Sequence, residues 1–298
     1  MSAGPHFRKY HGLGNDYLVI NPAEFPFEPT EAAVRAVCDR NRGVGSDGIL
    51  LGPLPGTGPS LRIFNPDGSE AAKSGNGLRI FAWYLHEAGL ASGREFPLLT
   101  KGGPVVAAVV DEAAKLVRMD MGPPNFAAAA VPVLAEREEA VDMAAEFGGK
   151  RCRITCVSMG NPHCVVLGLG SSGELARELG PLIERFPLFP DRVNVQFLEP
   201  LGPAEIRISI WERGAGYTLA SGSSSCAAAA AARRLGLAGD EVLVRMPGGA
   251  LRVEFAAGTT FLTGPVEKAF EGTFSDELRA RILGREPAAP DGAPGRKA

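Results

Sequence analysis

Several things are missing from this sequence, and each absence narrows what it can be. No run of 18 apolar residues occurs anywhere in the 298 residues, so no helix is expected to cross a bilayer. The alanine-rich stretch from Cys226 to Ala232 is far too short to do so. The opening residues, MSAGPHFRKYHG, contain no apolar block of the kind a secretory leader needs, which makes the cytoplasm the expected location. Lysine and arginine nowhere form a cluster, and the net charge is −3. That balance argues against a nucleic-acid partner or an anionic membrane surface. Cysteine is scarce: Cys38, Cys152, Cys156, Cys164 and Cys226 make an odd set without paired spacing. A reducing compartment is expected, with no disulfide framework. Cys152 and Cys156 have the spacing of half a metal site. However, RCRITCVSMG reads as a strand and no Cys/His pair follows it, so these are expected to be small core residues and no metal is expected.

What the sequence does contain is a 45% apolar chain, enough for one large domain or two medium ones, and an internal duplication. AAKSGNGLRIFAWYLHEAGLAS, starting at Ala71, has a counterpart in LASGSSSCAAAAAARRLGLAG, starting at Leu219. Ser74 and Ser221 open the matching elements, 147 positions apart, and Gly89 and Gly236 each follow their serine by 15. Upstream, GLGNDYLVI matches SMGNPHCVVL around Gly-Asn. Gly14 precedes Ser74 by 60 positions and Gly160 precedes Ser221 by 61. Downstream, KGGPVVAAVV matches MPGGALRVEF, and each half closes on a Gly-Pro, at Gly122 and Gly264. Landmarks kept in order at nearly one offset mark a duplication, and two copies make two lobes rather than a solenoid.

Each half carries short, largely β-branched runs punctuated by Gly, Pro and Asp: YLVI, SLRIF and LVRMDM, then CVVLGL, VNVQFL, IRISIW and LRVEF. Each also carries one strong helix, expected over Gly77–His86 and Ser224–Leu235. The second is alanine on nearly every face, so it should be buried. The expected fold class is α+β: two pseudo-symmetric lobes, each a strongly curved sheet around a central helix. Peripheral amphipathic helices are expected over Thr30–Asn41 and Ser172–Arg185. The expected division is residues 1–127 for the first lobe and 128–272 for the second, with a mostly disordered Pro/Gly-rich tail over 273–298.

A Ser-Gly opening of a buried helix leaves backbone N–H groups unpaired, and the helix dipole favours an anion there. Two such mouths facing each other suit a substrate carboxylate, with its α-carbon between Ser74 and Ser221. That geometry fits proton transfer on both faces of one carbon. Plain N-capping is the alternative role for the two serines. Before the second helix, WERGAGYT supplies Glu212, able to take an ammonium, and Arg213, able to grip a second carboxylate. Asn15, Asn65, Asn161 and Asn194 sit at expected strand ends or turns, where they either bind polar ligand groups or shape the turn. His163 either orients a partner or is a satisfied core residue.

HGLGNDY, DRNRGVGSDGIL, FNPDGSEAAKSGNGLRIF, GNPH, RVNVQF, WERGAGYTLASGSSSCAA and LTGP occur here in the order seen in diaminopimelate epimerases, and the chain resembles that family from Phe7 to about Phe274. The resemblance implies antiparallel barrel-like lobes, a homodimer, and inversion of an amino-acid α-carbon without a cofactor. It places Asn15, Asn65, Asn76, Asn161, Asn194, Glu212 and Arg213 at substrate-binding positions, with the Gly75 and Gly222 amides; His163, two positions after Asn161, and Ser223, next to Gly222, are further substrate-binding candidates. The family's two bases are cysteines, and here both positions hold serine, Ser74 and Ser221. Cys226 lies more than a turn further into its helix and is no substitute. Lys73 and Tyr217 also depart from the family pattern. Three origins for the serines follow: a deliberate double exchange that traps ligand, a branch that still isomerises a related amino acid, or a branch that has changed reaction. Besides L,L- to meso-diaminopimelate epimerisation, the alternatives are a racemase, dehydratase or proton-shift isomerase for another amino acid, or a non-catalytic amino-acid binder.

Overall fold

The structure, a computed structural model, describes residues 6–56 and 58–285. The first half opens with a hairpin, β1 (His6–Gly12) and β2 (Asn15–Ile20), whose turn residues Leu13 and Gly14 both have positive φ, 57° and 86°. Helix α1 (Glu31–Cys38), capped by Thr30, crosses to β3 (Ile49–Leu51), which lies parallel to β2. Strands β4 (Arg62–Phe64) and β5 (Glu70–Ala71) lead into α2 (Gly75–Glu87). The meander β6 (Glu95–Thr100), β7 (Gly103–Asp111) and β8 (Leu116–Gly122) closes the half.

The second half repeats this order after an added strand, β9 (Met143–Phe147). Its hairpin is β10 (Lys150–Ser158) and β11 (Pro162–Leu167), followed by α3 (Gly173–Glu184) and β12 (Asn194–Gly202). Strands β13 (Glu205–Glu212) and β14 (Gly216–Thr218) then deliver α4 (Gly222–Arg234). The closing meander is β15 (Glu241–Met246), β16 (Gly249–Ala256) and β17 (Thr259–Pro265), after which come β18 (Glu267–Thr273) and α5 (Asp276–Ile282).

The strands form a six-stranded sheet, β18-β1-β2-β3-β4-β5, and a twelve-stranded one, β6-β7-β8-β17-β16-β15-β13-β12-β11-β10-β9 with β14 paired to β13. The expected α+β class with two pseudo-symmetric lobes holds. Pairing is antiparallel except where a helix makes the crossover: β2 with β3, β11 with β12, and β13 with β15. The two lobes meet along β8 and β17, which pair antiparallel with Met119 opposite Leu262. In the first lobe a single parallel bridge, Ser60 to Leu99, brings β6 against the first sheet.

Both central helices are buried on all sides, α2 from Asn76 to Leu85 and α4 from Ser224 to Ala232. Large side chains surround α2, among them Tyr10, Tyr17, Phe96 and Met119. Around α4 the alanine surface lets branched strand residues such as Ile206, Ile208, Val242 and Val253 approach closely. Alanine also has the best intrinsic helix propensity, so packing and local preference agree. Both helices start two residues earlier than the apolar pattern predicts, because Ser74 and Ser221 are their N-caps, each extended at φ near −145°.

One strand departs from a simple division into halves. β18 belongs by sequence to the second half, yet it pairs with β1 along His6–His11, just as β9 pairs with β10. Helix α5, lying in the segment whose composition suggested a disordered tail, packs Leu278 and Ile282 into the core shared with α1. The rest of that tail, residues 286–298, lies outside the described residues.

Candidate active site

Helices α2 and α4 approach each other at their N-termini. A Cβ added to Gly75 would come within 3.3 Å of the Gly222 Cα, and one added to Gly222 within 3.3 Å of the Gly75 Cα. Nothing larger than glycine fits at this meeting point without displacing backbone. The first-turn amides of both helices, and the positive ends of both dipoles, therefore converge on one place.

The two serines are not equivalent. Ser74 Oγ accepts from the Gly77 amide at 3.1 Å, a conventional cap, and also lies 3.0 Å from the Tyr17 phenol oxygen. Ser221, buried at 5% exposure, makes no side-chain cap. Its hydroxyl instead faces the Glu212 carboxylate and favours the charged form of that group. Hairpin β13–β14 turns the chain between Glu212 and the start of α4. Burial raises the Glu212 pKa, the Ser221 hydroxyl opposes that rise, and nearby Asp47 adds to it. Burial also pushes Tyr17 up to about 12, against the bond from Ser74. Capping therefore describes Ser74 in part and the Ser221 side chain not at all.

A polar chain runs behind the α2 mouth. Arg79 donates to Asn76 Oδ1 (2.7 Å), Asn76 Nδ2 to Asn15 Oδ1 (3.0 Å), and Asn15 Nδ2 to Asp47 Oδ2 (2.9 Å). Arg40 closes the chain on Asp47 and Asp16. For Asp16, burial alone would raise the pKa, but hydrogen bonds from Arg40 and Lys9 outweigh it and the net shift is downward. At the other end Arg79 is fully buried, donates also to the Gly75 carbonyl at 3.3 Å, and leaves its Nε unpaired. Burial lowers its pKa to about 10, and the Cys226 thiol is its only electrostatic partner of note.

On the second lobe, His163 and Asn194 are opposite one another on β11 and β12. His163 is fully buried, and burial drives its pKa down to about 3, so it is neutral. Gln196 Nε2 donates to His163 Nδ1 (3.0 Å), which leaves the Nε2–H to donate to Asn161 Oδ1 (2.9 Å). His163 thus fixes the Asn161 amide. Asn194 donates to the Pro162 carbonyl (2.8 Å) and accepts from the Arg213 amide (3.0 Å), tying the β11 turn to the end of β13. The Arg213 guanidinium is exposed and donates to the Asp191 carbonyl at 3.1 Å.

The structure therefore gathers Asn15, Ser74, Gly75 and Asn76 from one lobe with Glu212, Ser221 and Gly222 from the other. Asn161, His163, Asn194 and Arg213 form a linked group on the second lobe, and Ser223 is half-buried in the first turn of α4. Asn65 Nδ2 donates to Ser69 Oγ of its own turn at 2.9 Å. Lys73 is exposed, and Tyr217 stacks under Arg177 of α3 at 3.8 Å, so neither touches the serines. Cys226 is fully buried, and burial raises its thiol to about 12, which removes it as a stand-in base. Tyr17, Asp47, Arg79 and Gln196 were not singled out from sequence. Arg79 had a readable signal: a charged residue three positions after Asn76 inside an otherwise apolar helix.

Fold and site together define an isomerase of the epimerase and racemase kind. The sequence profile of the family described as diaminopimelate epimerase matches residues 7–127 and 155–269. Diaminopimelate epimerase 2 of Nostoc sp. is 48% identical over 277 residues, covering 92% of this chain and 97% of the relative. The diaminopimelate epimerase of Moorella thermoacetica is 40% identical over 281 residues, covering 90% and 99%. The chain belongs to the diaminopimelate epimerase family. Among solved structures, a probable proline racemase from Agrobacterium radiobacter K84 has the same fold, with a TM-score of 0.66 at 20% identity over 93% of this chain and 95% of that one.

Proposed function

We propose that this protein inverts the α-carbon of L,L-diaminopimelate to the meso form by two-base proton transfer, serving lysine biosynthesis. The observation that carries the reading is the meeting of two helix mouths at Gly75 and Gly222, each opened by a serine, with the Glu212 carboxylate beside Ser221. A serine hydroxyl alone is a poor acceptor for an α-proton, but a neighbouring carboxylate makes it serviceable. The substrate carboxylate lies on the amides at Gly75 and Gly222, where the converging dipoles stabilise charge as the carbanion develops. Ser221 takes the α-proton while its own hydrogen passes to Glu212, and Ser74 delivers a proton to the opposite face. Asn15 and Asn76, locked by Arg79 and Asp47, orient the reacting end. Asn161, Asn194 and the Arg213 fork receive the second amino-acid end, Asn65 and Ser223 flank the substrate, and His163 keeps Asn161 in register.

The site requires no cofactor in this scheme. The assembly is a homodimer in the cytoplasm, which sedimentation of the purified protein tests directly. The main test is proton NMR in deuterated water with L,L- or meso-diaminopimelate. Loss of the α-proton signal together with appearance of the other stereoisomer supports the reading. Thermal stabilisation by the ligand without any exchange would instead mark a binding protein, and a change in product mass in ordinary water, where epimerisation leaves the mass unchanged, would mark a lyase.

A further inference from the structure

Most of the molecule outside the site offers little chemistry. The buried thiols Cys152, Cys156 and Cys164 lie in one apolar cluster, where Cys152 Sγ donates to the Ala145 carbonyl. Two surface cavities, one of about 250 Å³ beside Phe255 and one of about 290 Å³ beside Arg207 and Arg245, hold no unpartnered buried polar group. The unused group with the clearest geometry is the Tyr17 phenol, 6% exposed, with its oxygen 3.0 Å from Ser74 Oγ.

We propose that Tyr17 is the proton donor behind Ser74, so that the two faces of the substrate are served by two chemically different pairs: Ser221 with Glu212, and Ser74 with Tyr17. This rests on the two-base reading above. The hydrogen bonding at Ser74 supports it. Ser74 Oγ already accepts from the Gly77 amide, and it has one further lone pair and one hydrogen to place. When the Tyr17 hydroxyl donates to that lone pair, the serine hydrogen is free to point toward the substrate.

The step balances as follows. The Cα–H bond breaks on the Ser221 face; its proton joins Ser221 Oγ as the serine hydrogen moves to the Glu212 carboxylate. On the other face the Ser74 O–H bond breaks and a new Cα–H bond forms. The Tyr17 proton moves to Ser74 Oγ, and the negative charge ends on the phenolate. Proton return from the Glu212 carboxylic acid to that phenolate, through solvent, resets the site. The relay places the charge on a phenol rather than on a serine alkoxide, which is the far stronger base. Tyr17, pushed up to about 12 by burial, keeps its proton at neutral pH until Ser74 gives up its own. Glu212 and Asp47 both act on Tyr17 electrostatically, which places the two ends of the relay in one field. Tyr17 touches no substrate atom and acts only through Ser74.

Tyr17→Phe keeps the ring that packs against Gly48 and removes only the hydroxyl. The test compares it with the unaltered protein in deuterated water, scoring two signals separately: inversion, and deuterium entry with retention of configuration. Only proton delivery passes through Ser74. Inversion should therefore fall roughly 10- to 100-fold at nearly constant KM, while retained-configuration exchange from the isomer whose α-hydrogen faces Ser221 stays within about twofold. A merely structural role for Tyr17 would slow both signals alike, and that result overturns the relay. So does inversion at the full rate in Tyr17→Phe. If the unaltered protein exchanges no α-proton of either isomer, the two-base reading fails and the relay fails with it. Exchange in the unaltered protein with an unaffected Tyr17→Phe removes the relay alone.

Discussion

The buried Arg79 guanidinium makes an unusual demand on stability, and replacing it tests how the site is held. Among the described residues Arg79 has no carboxylate partner; it makes two hydrogen bonds, and its Nε has no partner. Its pKa falls from 12.5 to about 10. At about 1.4 kcal/mol per pH unit, keeping the charge inside the fold costs about 3 kcal/mol. Methionine has similar length and volume and no charge. Arg79→Met removes that cost and also two hydrogen bonds of about 1 kcal/mol each. The net change in unfolding free energy should lie within about 1.5 kcal/mol of zero, with stabilisation the expected side. Arg79→Lys retains a charge without the fork and should be less stable than Arg79→Met. Guanidinium-chloride unfolding of the three proteins measures this directly. Loss of more than about 3 kcal/mol in Arg79→Met would refute the reasoning, because the guanidinium would then be a net stabiliser with a counter-charge. Ligand affinity should move the other way: without Arg79 the Asn76 and Asn15 amides are free to turn, and diaminopimelate binding by calorimetry should weaken about tenfold. A buried charge kept at the expense of stability is expected where it orients a site.

Other expectations follow from the same geometry. Ser74→Ala and Ser221→Ala should each abolish inversion, and full activity in either would remove that residue from the mechanism. Glu212→Gln should lower inversion by about 10²-fold or more, and the pH–rate profile of the unaltered protein should rise with pH through the elevated Glu212 pKa. The stability sign is opposite to that of an ion-paired carboxylate. A folded-state pKa above the unfolded one favours the protonated fold, so this contribution is full below the unfolded value and lost as pH rises through the folded one. Glu212→Gln should therefore gain stability relative to the unaltered protein at pH 7 and not at pH 4, read by urea midpoints. Gly222→Ala would place a Cβ 2.9 Å from Leu262 Cδ2 and 3.3 Å from the Gly75 Cα. It should cost about 1–3 kcal/mol in thermal unfolding and spread the two mouths apart. Cys226 should resist thiol reagents in the folded protein and react only on denaturation.

The duplication made much of this architecture readable. Equal spacings from Ser74 and Ser221 located both buried helices, and their small residues announced a close approach. The peripheral helices α1 and α3 were legible from amphipathic spacing, within the expected Thr30–Asn41 and Ser172–Arg185. Pairing partners were not. β18, EKAFEGT, has no alternation to mark it as a strand, and nothing in its spacing says that its ladder lies with β1, some 260 residues away, rather than with its neighbours. Glu212 was visible as a charged residue beside the second helix, but its contact with Ser221 depends on how tightly β14 folds back on β13. Tyr17 was hidden for a different reason: on a buried strand a tyrosine looks like core, and only the position of one oxygen makes it chemical.

The return of β18 to β1 also bears on how the protein is made. A ribosome releases the residues that frame the first lobe early, but the edge of β1 stays unpaired until Glu267–Thr273 emerges. The first lobe must therefore wait, with an open strand edge that invites wrong partners. The chain cannot be treated as two beads that fold in turn. Its ends are stitched together, so truncation near residue 266 should damage the half that was synthesised first. A circular permutant joining the region of α5 to β1 would instead bring the late strand next to its partner from the start.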